Sequence, residues 1–205
     1  MKISFENKKI DEIKEWLGSG SINIFGMPFS GKDTQCHRLA KLLNANTFGG
    51  GDILRNTKTS EKLKTDIDNG FFAPTDEYIK KIVPYFSKPE FEGKPLILSS
   101  VGRWDGEEKS VIEAAKKCNH QIKVAIFLNL EHSESIRRNK VANRGRVDDH
   151  HSLLNNRFSE FENKTFPVIE KYKALGLLVE IDGNQTENHV TESILSAIYI
   201  KVKGK

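Results

Sequence analysis

Short apolar runs alternate along this chain with longer stretches of helical periodicity. Five runs read as strands: Ile22 to Phe25, a short one at Asn46 to Phe48, Leu96 to Ser99, Val124 to Leu128, and Leu177 to Ile181. Turn residues, among them Gly20, Gly26, Gly93, Pro95 and Gly183, bound four of the five. Between the strands the spacing predicts helices over Lys32 to Leu43, Glu61 to Asp68, Thr75 to Phe86, Glu107 to Lys117, Ser133 to Lys140, Ser152 to Leu175 and Glu187 to Val202. Such alternation is the mark of βα units, and it predicts a parallel sheet flanked by helices. Phe158, Phe161, Val168, Ile169 and Tyr172 recur at helical spacing and read as core, while Pro167 is expected to kink or split their helix. Ahead of the first strand, Lys8 to Leu17 predicts a short amphipathic helix with Ile10, Ile13, Trp16 and Leu17 inward.

Composition narrows the class without naming a task. At 205 residues and 37% hydrophobic content, one domain with a sizeable core is expected. The 32 basic and 28 acidic residues leave a net charge of +4, too small to require a nucleic-acid partner. Cys36 and Cys118 cannot build a four-thiolate zinc site and read as reduced thiols. No apolar run approaches the roughly 18 residues that cross a bilayer, and Met1 to Glu15 is polar and lysine-rich, so a soluble cytoplasmic protein without a membrane partner is expected.

The sharpest chemical signal is Gly26-Met27-Pro28-Phe29-Ser30-Gly31-Lys32-Asp33-Thr34, which follows an apolar strand and opens a helix. That context is the one a phosphate-binding loop needs: backbone N–H groups and the helix terminus attract phosphate oxygens, and the Lys32 ammonium spans adjacent phosphates. Asp33 stands where the motif usually has Ser or Thr, with Thr34 one place later.

The chain resembles adenylate kinase and its nucleoside monophosphate kinase relatives. The family's Gly-Lys-Gly-Thr-Gln is matched by Gly31-Lys32-Asp33-Thr34-Gln35, and its Thr-Gly-Asp-x-Leu-Arg by Gly50-Gly51-Asp52-Ile53-Leu54-Arg55, with Gly50 in place of the threonine. Leu98-Ser99-Ser100-Val101-Gly102-Arg103 is similar to Leu-Asp-Gly-Phe-Pro-Arg, chiefly in its arginine. Gly145-Arg146-Val147-Asp148-Asp149, Arg157, Pro167-Val168-Ile169 and Ile181-Asp182-Gly183 complete the series from about Ile22 onward. The resemblance implies a P-loop α/β fold with a five-stranded parallel sheet, an N-terminal helical extension over 1–20, and a kinase domain over 21–205. Within that domain it implies an acceptor-binding insert near 49–87 and a short lid near 140–149. It also implies transfer of the γ-phosphoryl of Mg·ATP to a nucleoside monophosphate, AMP first, by a monomer.

On that resemblance Arg55 and Arg103 hold the acceptor phosphate, while Arg146 and Arg157 neutralise the transferred group. Asp148 and Asp149 are hinge residues around the nucleotide and Mg²⁺-bound water. Phe29, Ser30, Gly31, Lys32, Asp33 and Thr34 line the ATP phosphates. Arg138, with Arg137 as its rival and Arg144 as a substitute partner, stacks on the ATP base near Gln185. Gly50, Phe72 and Ala73 border the acceptor. Two departures matter. Ser99 replaces the strand-end aspartate that orients Mg²⁺, and Asp33 either compensates for it or caps its helix. Glu107 replaces the glutamine that reads adenine; it either reads a base, with GMP a serious alternative, or serves as an N-terminal helix charge while backbone near Phe72 and Ala73 reads the base. A nucleotide-binding regulatory protein with weak catalysis is the rival class, suggested by Ser99 and Gly50.

Overall fold

A computed structural model describes residues 3–73, 75–142 and 151–204. Strands β1 (Ser21–Gly26), β2 (Asn46–Gly49), β3 (Leu96–Ser99), β4 (Ile122–Asn129) and β5 (Leu178–Asp182) form one sheet in the order β2-β3-β1-β4-β5. All four pairings are parallel. The fold is therefore the expected P-loop α/β architecture, with helices as the crossovers that parallel strands require.

Strand periodicity divides the core in two. Ile22 and Ile24 of β1, Ile97 of β3, and Val124 and Ile126 of β4 turn to one face, where they meet Leu39 of α2 (Lys32–Leu43), Ile194 of α10 (Glu187–Lys203) and Ile13 and Leu17 of α1 (Asn7–Leu17). Phe25, Leu98, Ala125 and Phe127 turn the other way, towards α5 (Thr75–Ile82), α6 (Glu107–Lys117) and α9 (Phe166–Ala174). The N-terminal helix is thus part of the core, with Ile13 and Leu17 wholly buried and Trp16 half-buried. Among the described residues no helix is long and apolar enough to cross a membrane.

Three local features differ from the sequence pattern. Gly50–Asn56 forms a helix, α3, where the sequence pattern predicts no element, since its glycines conceal the periodicity of Ile53 and Leu54. The expected helix to Phe86 ends at Ile82 and tightens to a 3₁₀ turn over Val83–Ser87, where Pro84 removes an N–H. The helix containing Pro167 is resolved as α8 (His151–Glu160), a π-turn over Phe161–Thr165, and α9. That wider turn accommodates the proline in the first turn of α9, where its missing N–H costs little. The remaining helices are α4 (Glu61–Asp68) and α7 (His132–Val141).

Candidate active site

The phosphate loop is shaped by backbone constraints at three positions. A Cβ on Gly26 would lie 2.4 Å from Ser30 Oγ, so the loop can fold back on itself only over glycine. Gly31 is left-handed at φ 87°, where glycine carries no steric penalty, but Phe29 is also left-handed at φ 61°. That conformation costs a non-glycine residue about 1–2 kcal/mol. The Phe29 ring is nevertheless buried, and the Arg157 guanidinium of α8 lies 5.7 Å from its centroid. Gly31 gives α2 no side-chain cap, whereas Ser60 caps α4 by accepting from the Leu63 N–H and Thr186 caps α10 by accepting from the His189 N–H. The Ser30 hydroxyl is buried with no hydrogen-bond partner among the described residues. A helix start without a side-chain cap, at the end of a buried strand, favours an anion.

Beside it, at the C-terminal ends of β1, β2 and β3, oxygen ligands gather. The Ser99 hydroxyl donates to Asp33 Oδ1 at 2.6 Å, linking two of the positions at which the sequence departs from its relatives. Asp52 Oδ1 accepts from Arg55 at 2.7 Å. A Cβ on Gly49 would fall 3.2 Å from Asp52 Oδ2 and 3.3 Å from Ser99 Cβ, so Asp52 and Ser99 both crowd the space beside that glycine. Mg²⁺ bound with nucleotide phosphates needs only one or two carboxylates, so Asp33 and Asp52 fit such an ion.

The segment after β3 presents an arginine, and side chains take up its backbone. The Val101 N–H donates to Asn23 Oδ1 at 3.2 Å and the Gly102 N–H to Tyr78 Oη at 2.9 Å. The N–H groups of Arg103 and Trp104 both donate to Glu107 Oε2 at 3.1 Å. Further on, the Gly106 N–H donates to Glu108 Oε2, and Lys171 of α9 bridges Glu108 and Asp105. Arg103 itself is half-buried, with its guanidinium 3.8 Å from the centroid of Phe72. The Phe72 N–H donates to Glu160 Oε2, which also accepts from Lys164, and so ties the α4–α5 loop to α8. Burial pushes the Glu107 carboxyl up to about 7 against the pull of Arg103 and its two backbone donors. It also drives the Tyr78 phenol well above its ordinary range.

Two clefts meet at the phosphate loop. Lys32, Asp33, Arg55, Phe72, Arg103 and Arg157 line one; Phe29, Ser30, Gly31, Lys32, Asp33, Thr34, Arg138 and Gln185 line the other. Lys32 and Asp33 border both. Arg138 is held by Glu134 and by the Gly183 carbonyl, whereas its rival Arg137 is turned outward in a two-point pair with Glu134. These arginines keep the Glu134 carboxyl down at about 2. Gly50, Ala73 and Glu107 line neither cleft. Arg144, Arg146, Asp148 and Asp149 lie outside the described residues.

The family model described as an AAA domain matches residues 25–154, well over half of the chain. An adenylate kinase of Rhodopirellula baltica is 28% identical over 185 residues, covering 86% of this chain and 94% of that protein. The probable UMP-CMP kinase 1 of Arabidopsis thaliana is 26% identical over 197 residues, covering 94% of each. The UMP-CMP kinase of Lentinula edodes is 26% identical, covering 89% of this chain and 87% of that protein. The chain belongs to the adenylate and nucleoside monophosphate kinase family. Membership makes one departure intelligible. A Cβ on Gly50, where family members resembled here carry threonine, would lie 2.4 Å from Tyr78 Oη, so the tyrosine hydroxyl fills the space a threonine side chain would enter. Sequence reasoning missed Tyr78, Asn23 and Glu160; a lone Asn inside an apolar strand was the one signal available, since an amide buried there must find partners. Glu107, weighed as a base reader, is 2% exposed and spends Oε2 on backbone N–H groups.

Proposed function

We propose that the protein catalyses reversible transfer of the γ-phosphoryl of Mg·ATP to a nucleoside monophosphate, with AMP the preferred acceptor (ATP + AMP = 2 ADP). One observation carries the reading: Lys32 and Asp33 border both clefts, so a donor phosphate chain and an acceptor phosphate meet at the same ammonium. Lys32 orients the donor phosphates, and Arg55 and Arg103 grip the acceptor phosphate with planar, permanently charged forks. Arg157, with Arg146 from a lid at 140–149, spreads charge from the transferred group, and Asp148 and Asp149 act at the lid's hinge. Arg138, with Arg144, holds the donor base beside Gln185. Asp33 and Asp52 would hold the nucleotide-bound Mg²⁺, which supplies neutralisation of phosphate charge. Residues 49–87 form the acceptor insert, on which Phe72 borders the acceptor while Gly50 and Ala73, which line neither cleft, stand behind it, and 1–20 form a helical extension. Positioning and electrostatics suffice; no covalent intermediate is needed.

A pyrimidine acceptor is the second reading, supported by the likeness to proteins named UMP-CMP kinase over 94% and 89% of the chain. The case for GMP rested on a Glu107 carboxylate facing a base, and that side chain lines neither cleft. Steady-state rates with AMP, GMP, CMP, UMP and dTMP test the proposal. The highest kcat/KM is expected with AMP, a preference for CMP or UMP selects the second reading, and ATP binding without turnover of any monophosphate selects a regulatory protein.

A further inference from the structure

Relatives place a base-reading glutamine four residues after the acceptor arginine, and this chain carries Glu107 there. The carboxylate is 2% exposed and points back under its own loop, with Oε2 3.1 Å from both the Arg103 and the Trp104 nitrogen. Glu107 opens α6, whose preceding residue Gly106 provides no side-chain cap. From α5, Tyr78 takes the adjacent Gly102 N–H, and from β1 Asn23 takes that of Val101. Four consecutive amides, 101 to 104, are thus bound by side chains from three separate elements. With the backbone so held, the loop offers phosphate its arginine and not its N–H groups. Phe72, in the α4–α5 loop, stacks on the Arg103 guanidinium and covers it.

We propose that Glu107 is a positioning residue for Arg103: it fixes the backbone at 103 and 104 so that the guanidinium faces the acceptor phosphate, and it does not read the acceptor base. The inference rests on the kinase reading for its consequence in catalysis, and on the loop's hydrogen bonds for its cause. A residue that positions a phosphate-binding arginine affects every monophosphate alike, because all carry the same phosphate. A residue that reads a base changes the preference among them.

Glu107→Leu and Glu107→Gln separate the two roles. In Glu107→Leu the KM for AMP, CMP and UMP is expected to rise by a common factor of about tenfold, with the KM for ATP unchanged, because two backbone donors lose their acceptor. Glu107→Gln keeps an oxygen acceptor in nearly the same volume and is expected to stay within about threefold of the parent. Amide hydrogen exchange at Arg103 and Trp104 is expected to quicken in Glu107→Leu and much less in Glu107→Gln. A shift in the ratio of kcat/KM between acceptor bases in either variant would overturn the proposal, as would quickened exchange with unchanged acceptor KM. Should the parent enzyme turn over no monophosphate, the kinase reading fails by itself. The exchange comparison then decides the positioning role, and unchanged protection at 103 and 104 overturns it.

Discussion

The phosphate loop and the arginine loop leave neighbouring strands, β1 and β3, at the same C-terminal end of the sheet, and they treat their backbones in opposite ways. Neither α2 nor α6 has a side-chain cap, but in the first loop the Ser30 hydroxyl is buried without a partner among the described residues and Phe29 accepts a left-handed conformation. In the second, Asn23, Tyr78 and Glu107 take up four consecutive N–H groups. The difference teaches how the two proposed anion sites can be built from different parts of the same chain. A loop that receives phosphate on its backbone leaves polar groups open for it, whereas a loop that presents a side chain has its backbone N–H groups taken up by other side chains, so that the side chain has one place to point.

The largest effect is expected where backbone and side chain act together in the first loop. Lys32→Ala should lower kcat on the order of 10³-fold in a coupled assay, with the melting temperature little changed, since the residue is half-buried at a helix start and its loss leaves no core cavity. Retention of activity within tenfold would break the contrast. Next is the cost of the buried carboxyl that holds the second loop. Glu107 keeps its proton up to about pH 7 in the folded chain against an ordinary 4.5, so between those values the folded state holds a proton that the unfolded chain has released. Stability should therefore fall as pH rises through this window, by up to about 3 kcal/mol, and level off above it. Burial opposes the carboxylate most, with Glu108 adding to it, while Arg103 and the two backbone donors favour it. Urea denaturation from pH 4 to pH 8 should show the decline in the parent and a flatter profile in Glu107→Gln.

A smaller effect sharpens the role of the presented side chain. Arg103→Lys keeps the charge but not the planar fork, and kcat/KM for the acceptor should fall by about tenfold to a hundredfold while ATP affinity holds. Equal losses for donor and acceptor would show that the two clefts are not divided as their linings imply. The smallest is a control on capping itself. Ser60→Ala removes an ordinary cap from α4 and should cost about 1 kcal/mol by thermal denaturation, a measure of what α2 forgoes in starting without one.

Much of this molecule was legible before any coordinates, because the signals were local. The five strands and the helix containing Leu39 follow from apolar runs and their boundaries, and the observed limits fall within two residues of the pattern. The phosphate loop declared itself because its requirements, glycines for tight backbone and a lysine at a helix start, are met by consecutive residues. Helix α3 was not legible, since three successive glycines hide the face that buries Ile53 and Leu54. Nor was the role of Glu107, for the spacing that puts a glutamine on a base in relatives says nothing of a carboxylate folded back onto its own loop. Gly50 looked like a lost contact and proved to be half of an exchange with Tyr78, 28 residues further along in the numbering of the chain.

The sequence by itself determined the parallel sheet, the phosphate loop and the kinds of side chain that surround it, because periodicity, turn chemistry and motif spacing act over a few residues. Only the tertiary structure decided which hydroxyl fills the space beside Gly50, which carboxyl bears the Arg103 backbone, and which arginine of the Arg137–Arg138 pair borders the cleft beside Gln185. Those outcomes depend on distances between elements far apart in the chain, and a buried donor takes whichever acceptor the packing brings within about 3 Å.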